Sequence, residues 1–177
     1  VFTWERYFES ASDLRSVYGN ASPNVSYDAP GPHSLHPDSH IPSGEKDDTG
    51  FDIDIAVNYL NEHAYPKYDR TTCGRCARAV RLSLEAGGIN TTNHPISAKN
   101  YGPYLQKWGF NIVDKIDYSP LKGDVRVFQN YIGGSTHGHI NMYNGNQWVS
   151  DFFENGFWPG RGYREHKAAF IIYRWSD

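Results

Sequence analysis

The sequence predicts an α+β domain in which helices come first and an antiparallel sheet follows. Apolar residues recur at helical spacing in three segments between residues 51 and 108. Short apolar or alternating segments, bounded by turn residues, follow from residue 110 onward. Between two of these later segments, the pair Asn144-Gly145 is a strong signal for a tight β-hairpin.

Residues 1–50 differ in composition from the rest of the chain. Residues 2–17 carry apolar side chains compatible with a short amphipathic helix. Residues 20–50 are rich in Ser, Pro, Gly, Asp and His and show no sustained period. We therefore predict an N-terminal helix and an extended, linker-like segment over residues 1–50, and a folded domain over residues 51–177.

Helical periodicity in the folded part predicts three helices. The first covers residues 53–65 and ends at the proline that follows, because proline cannot continue a helix. The second contains Cys76 in its first turn or two, with Thr71 or Thr72 as the expected N-cap and a pair of glycines as the stop. The third covers residues 97–108.

The strand patterns come after the helices. They cover residues 110–116, 125–128, 138–143, 147–152 and 169–175. Side chains alternate between the two faces of a strand, so Ile140 and Met142 are expected to face the core. His139 and Asn141 then face the other way.

Composition and charge exclude some classes of function. The net charge is −3 and Lys and Arg form no long runs, which disfavours general nucleic-acid binding. No stretch approaches ~18 apolar residues, the length that predicts a membrane span. No signal peptide is visible, so we expect a processed protein or one domain of a longer chain. Aromatic residues reach 15 %, which suits a ring-rich core or a surface that grips sugars or peptides.

The chain has two cysteines, Cys73 and Cys76, which are too close in sequence to staple distant segments. They are redox-active, metal-binding, or one of them is catalytic. Cys76 is the candidate nucleophile because it lies near a predicted helix start. There, backbone N–H groups and the positive end of the helix dipole stabilise a thiolate and a developing oxyanion.

A cysteine nucleophile needs a base, and that base needs an orienting partner. His139 begins a clean strand and is the candidate base. The hairpin at Asn144 folds the next strand back, so Asp151 is expected almost level with His139 and within hydrogen-bonding reach. The candidate substrate-binding residues are Tyr68, Arg75 and His137.

Three sequence segments carry a resemblance to a known superfamily. They are Gly-Arg-Cys-Ala-Arg-Ala-Val at 74–80, Pro-Leu-Lys-Gly-Asp-Val-Arg-Val-Phe at 120–128 and Gly-His-Ile-Asn-Met-Tyr at 138–143. In this order they resemble the NlpC/P60 and CHAP superfamily of papain-like peptidoglycan amidases. The run at 147–152, with Trp158-Pro-Gly160 beyond it, is similar to type VI secretion amidase effectors and to phage or bacteriocin lytic domains.

The resemblance implies a papain-like fold, with the nucleophile helix packed on an antiparallel sheet. It implies Cys76 as nucleophile, His139 as base and Asp151 as the third member, with no cofactor. The implied function is hydrolysis of amide bonds in peptidoglycan stem peptides, as an antibacterial lytic toxin with an immunity protein as partner. The implied location is outside the producing cell or in the periplasm of a target cell.

Other interpretations of the same residues stay open. Cys-Gly-Arg-Cys at a helix start also matches the thioredoxin-type redox motif, and a reversible disulfide between Cys73 and Cys76 would silence the nucleophile. Both cysteines with His137 and His139 would make four zinc ligands. A sugar- or receptor-binding module without catalysis would use the aromatic surplus but leave the Cys76–His139–Asp151 pattern unexplained.

Overall fold

The computed structural model describes residues 50–176, and the predictions for residues 1–49 lie outside that range. The helices are α1 Ile53–His63, α2 Cys76–Ala86, α3 Gly102–Lys107 and α4 Arg161–Glu165, with a 3₁₀ turn at Ala98–Asn100. The strands are β1 Phe110–Ile112, β2 Val125–Phe128, β3 His139–Tyr143, β4 Trp148–Val149 and β5 Phe170–Trp175. No helix within residues 50–176 is long and apolar enough to cross a bilayer.

The strands of the described part form a five-stranded sheet in the order β1-β5-β2-β3-β4, and every neighbouring pair is antiparallel. In the pairing of β2 with β3, Arg126 lies opposite Asn141 and Phe128 lies opposite His139. The predicted α+β class with helices before an antiparallel sheet is therefore confirmed. Cross-strand partners share a face, so these four side chains lie on one side of the sheet.

Each face of the sheet is covered by a different apolar layer. On one face, Val127 and Ile140 belong to a core cluster that includes Val80 and Leu84 of α2. On the other face, Phe128 belongs to a second, ring-rich cluster, which includes Phe157, Trp158 and Tyr163 from the chain after β4. All four residues of β2 are consequently buried. The sequence pattern predicted only the first of these two layers.

The start of α2 differs from the prediction. Its N-cap is Arg75, and no side chain within residues 50–176 caps it. Thr71 is occupied elsewhere, since its backbone nitrogen and hydroxyl donate to Asp69 Oδ1 at 2.7 and 2.6 Å. The predicted Thr71 or Thr72 cap is wrong, and α2 begins at Cys76 itself. The first-turn N–H groups of α2 therefore stay available to a ligand.

Several other elements are shorter than predicted. The third helix divides into the 3₁₀ turn and α3, and β1 ends at Ile112 rather than at residue 116. The hairpin is confirmed, with Asn144 Oδ1 accepting from the backbone nitrogens of Asn146 and Gln147. Its second strand, β4, has only two residues, because the backbone turns back at Ser150, whose N–H donates to the carbonyl of Phe152. Helix α4 was not predicted.

Candidate active site

Cys76 is the first residue of α2, and its side chain is half-buried. The loop that leads into it is fixed by Asp151, whose Oδ2 accepts hydrogen bonds from the backbone nitrogens of Gly74 and Arg75, each at 2.6 Å. Gly74 adopts φ +119°, a conformation that favours glycine. A distant carboxylate therefore sets the path of the backbone immediately before the candidate nucleophile.

His139 occupies the first position of β3 and is buried. It follows Gly138, which has φ +67° and has no room for a side chain. A Cβ atom at Gly138 would collide with the carbonyl oxygen of Phe128 and would lie 2.8 Å from Cβ of Lys99. Glycine at this position lets the chain enter β3 with His139 aligned on the ladder.

The imidazole of His139 connects Cys76 to a third residue, Glu154. Its Nε2 lies 2.6 Å from Oε1 of Glu154, and the ring lies near the Cys76 sulfur, whose negative charge raises the pKa of the imidazole. Because Nε2 is engaged by the carboxylate, Nδ1 is the nitrogen left for the sulfur. A sulfur, an imidazole and a carboxylate in contact form the arrangement that activates a cysteine nucleophile.

The charges of these groups support one another. Burial by itself would lower the pKa of His139, but the negative charges and hydrogen bonds of Cys76 and Glu154 outweigh it and raise that pKa to about 10. Burial would raise the pKa of Glu154, but the charges of His139 and Arg126 and the hydrogen bonds to the carboxylate hold it below its usual value. Both residues are therefore ionised at neutral pH.

Glu154 is held by two further buried side chains. Asn141 donates from Nδ2 to Glu154 Oε2 at 2.7 Å, and Nη2 of Arg126 lies 3.9 Å from the same oxygen. Arg126 also donates from Nε to Asn141 Oδ1 at 3.2 Å. These contacts fix the orientation of the carboxylate, and through it the orientation of the imidazole of His139.

Asp151 was expected to form a hydrogen bond with His139, and the structure shows different partners for both residues. The pairing of Met142 with Val149 would, if β4 continued, place residue 152 opposite His139 and residue 151 on the other face. Instead β4 ends and the chain folds back, which carries Glu154 to the imidazole. Asp151 binds the Gly74–Arg75 backbone and not the ring, so Glu154 takes the orienting place expected for it.

Tyr68 and Arg75 lie near the candidate nucleophile and are both exposed. The ring of Tyr68 packs edge-on against Phe152, with centroids 5.3 Å apart, and Phe152 lies 6.3 Å from the ring of His139. Arg75 directly precedes Cys76. The role of both residues in binding a substrate stays a prediction.

His137 lies in the loop that precedes β3. It is exposed, and its Nδ1 is 2.8 Å from Oγ of Ser97, while its carbonyl accepts from the backbone nitrogen of Lys99. These contacts tie the Gly-rich loop before β3 to the 3₁₀ turn. His137 does not contact the imidazole of His139 through any of them.

Sequence reasoning missed Glu154 and Tyr163 as site residues. The ring of Tyr163, on α4, is 5.9 Å from that of His139. Burial, and to a smaller extent the charge of Cys76, raises the pKa of Tyr163, so its hydroxyl stays protonated. Tyr163 stands in no motif. For Glu154 the only sequence signal was its place among aromatic residues, which predicts burial but no partner.

The residues of the redox and zinc alternatives make separate contacts. Cys73 Sγ accepts from the backbone nitrogen of Asp69 at 3.3 Å, while Cys76 lies near His139 and raises the pKa of its imidazole. Within residues 50–176, no group of three or more His, Cys, Asp or Glu is arranged as metal ligands. The described sheet is antiparallel throughout its named strands, and no strand immediately precedes α2, unlike a thioredoxin βαβ unit.

No protein-family model and no curated protein matches the chain. Among solved structures, the native type VI effector–immunity complex Tae3–Tai3 from Ralstonia pickettii matches with 39 % identity over 71 % of this chain and 100 % of the other, at a TM-score of 0.62. The selenomethionine form of the same complex matches with 40 % identity over 68 % and 99 % of the two chains, at a TM-score of 0.58.

These similarities place the chain in the class of type VI effectors. Within that class, it belongs to the Tae3 family, since the identity exceeds 30 % and the match spans the whole of the related chain.

Proposed function

We propose that this protein is a cysteine hydrolase that cleaves amide bonds in peptidoglycan stem peptides. The observation that carries the proposal is the contact chain from Cys76 at the first position of α2, through His139, to Glu154. Membership of the Tae3 family supports the substrate class and the antibacterial role. The helix-on-antiparallel-sheet arrangement supports a papain-like fold of the NlpC/P60 type for residues 51–177.

In the proposed mechanism, the proton of the Cys76 thiol resides on Nδ1 of His139 before the substrate is attacked, and Glu154 stabilises this imidazolium from Nε2. The Cys76 sulfur attacks a peptide carbonyl carbon and forms a tetrahedral intermediate. The uncapped N–H groups of the first turn of α2 donate to the oxyanion. The imidazolium then protonates the leaving amine, and a water molecule activated by His139 hydrolyses the thioester.

The proposed substrate passes between two rims. Tyr68 and Arg75 on one side would contact the peptide, with Arg75 offering a positive charge to a stem-peptide carboxylate. His137 and the loop before β3 form the other side. No cofactor takes part in this chemistry. We further propose delivery to the periplasm of a target cell and, as in the related effector–immunity complexes, an immunity protein that covers the site.

The test is digestion of purified sacculi by the wild-type chain and by variants, followed by chromatography and mass analysis of the fragments. Cys76→Ala and His139→Ala should release no soluble muropeptides. Cys73→Ser is the matched control, because it removes the neighbouring thiol without touching the imidazole, and it should digest as the parent does. Equal digestion by Cys76→Ala would refute the hydrolase mechanism, whereas loss of activity in Cys73→Ser would favour the redox or zinc alternative.

A further inference from the structure

Arg126 is a buried cation in the middle of the central strand. Its side chain has no exposed area, and its guanidinium carbon lies 3.9 Å from the ring of Trp148, 4.5 Å from Phe157 and 4.7 Å from Phe128. Its terminal nitrogens Nη1 and Nη2 have no hydrogen-bond partner within residues 50–176. Removing a charge from water in this way is costly, and an apolar residue of similar length would fill the same space between rings without that cost.

The positive charge of Arg126 faces the carboxylate of Glu154. The carboxylate of Glu154 lies 3.9 Å from Nη2, and Asn141 bridges the two groups by accepting from Arg126 and donating to Glu154. The surrounding rings offset part of the desolvation through cation–π attraction. The guanidinium is thus held behind the carboxylate, on the side away from His139.

We propose that Arg126 is a positioning residue that keeps the Cys76–His139–Glu154 group in its ionised, reactive protonation state. This inference rests on the proposed function, since it concerns the same site. Arg126 touches neither the sulfur nor the substrate path, and it acts through Glu154.

The argument is one of charge balance in a buried site. In the reactive state a thiolate, an imidazolium, a carboxylate and a guanidinium alternate in sign along Cys76, His139, Glu154 and Arg126, and their sum is zero. Without the guanidinium, the remaining three sum to −1. A buried negative charge is disfavoured, so the site would take up a proton more readily, on the thiolate or on the carboxylate, and either event removes the reactive state.

Other titratable groups that face these residues do not replace that charge. Tyr118 precedes β2 and Tyr163 lies on α4, and burial raises the pKa of each, so both stay neutral. Asp124 is paired with Arg174, with 2.7 Å between Oδ1 and Nε, and accepts a hydrogen bond from Tyr118. Burial lowers the pKa of Arg126 to about 9, which leaves it charged at neutral pH.

The experiment compares the pH dependence of two readouts in a Cys73→Ser background. One is kcat/KM for sacculus or muropeptide hydrolysis, and the other is the rate of Cys76 alkylation by iodoacetamide without substrate. Arg126→Gln, which keeps a donor but loses the charge, should move the acid limb of both profiles to higher pH by about one unit or more. Arg126→Lys keeps the charge and should restore the limb toward the parent position.

Arg174→Gln is the matched control, because it removes a cation from the same sheet away from the sulfur, and its acid limb should stay in place. An unmoved limb in a folded Arg126→Gln, with only a lower plateau, would overturn the proposal. If Arg126→Gln fails to fold, Arg126→Lys decides, because an acid limb that moves to higher pH by about one unit or more in a variant that keeps the charge would mean that the charge itself is not what counts. The parent could release no muropeptides while the alkylation limb of Arg126→Gln still lies at higher pH than that of the parent. This pair of results would leave the inference on Arg126 standing and refute the proposed function.

Discussion

The Oδ2 atom of Asp151 lies 2.6 Å from the backbone nitrogen of Arg75, the residue immediately before Cys76. The second bond from the same oxygen, to the nitrogen of Gly74, has the same length. Two hydrogen bonds to one carboxylate oxygen fix the loop that precedes α2, although Asp151 and Arg75 are 76 residues apart in sequence. Asp151 therefore fixes the backbone that precedes the candidate nucleophile, and it does not orient the imidazole of His139 through either bond.

This relationship predicts a difference between two substitutions of Asp151. Asp151→Ala leaves the loop unanchored, and we expect a loss of about 1–3 kcal/mol in the free energy of unfolding and about a tenfold loss in kcat. Asp151→Asn retains an acceptor and should lose much less of both. Urea unfolding and sacculus digestion measure the two quantities. If Asp151→Asn were as inactive as Glu154→Gln, that result would instead support a direct role of Asp151 in orienting the imidazole of His139.

Glu154→Gln should lower kcat/KM by about 100-fold or more with little change in fold. The amide still fills the space and can accept from Nε2 of His139, but it lacks the negative charge that raises the pKa of the imidazole. The pKa of His139 should therefore fall, which nitrogen NMR of the imidazole would detect. Unchanged activity together with an unchanged imidazole pKa would mean that Glu154 has no part in the site.

Gly138→Ala should damage both stability and activity. The substitution adds a Cβ that meets the carbonyl of Phe128 in a backbone conformation with φ +67°. Gly133→Ala is the matched control, since Gly133 has φ +83° but an added Cβ meets nothing within 4 Å. Thermal unfolding should show about 1 kcal/mol of loss for Gly133→Ala and clearly more for Gly138→Ala. Equal losses of stability in the two variants would show that the collision of the added Cβ with the carbonyl of Phe128 has no effect.

The positions of the two candidate reacting residues at element starts could be predicted from local patterns, while the side chains that contact them could not. Cys76 stands at a helix start and His139 at a strand start, and both signals lie within a few residues of sequence. The contact of Glu154 with His139 depends on where β4 ends, because a longer β4 in the same register would place residue 152 opposite His139. The sequence between residues 147 and 154 has no proline to mark that end.

The burial of Arg126 could not be predicted for a different reason. Its strand alternates charged and apolar residues, a pattern typical of a sheet with one solvated face. In the structure, that face is covered by rings from the chain after β4, including Phe157 and Trp158. Such long-range cover leaves no periodic signal in β2 itself. The surplus of aromatic residues predicted ring packing, but it did not tell which face the rings would cover.

Stability should depend on pH through His139. Its pKa in the folded chain is about 10, against 6.5 for an unperturbed imidazole, so the folded state holds a proton that the unfolded state loses above pH 6.5. The stabilisation from this group is complete below pH 6.5 and is lost as the pH rises toward 10. The gap in melting temperature between the wild type and His139→Gln should therefore shrink between pH 6.5 and pH 10.

The difference between the two proteins is the quantity to measure, because other groups act in the opposite direction. Burial lowers the pKa of Lys115 to about 8 and that of Arg126 to about 9, so the unfolded chain binds more protons than the folded one above those values. Their contributions rise with pH in both proteins and largely cancel in the comparison. A gap that stays constant from pH 6.5 to 10 would show that His139 carries no extra proton in the folded chain.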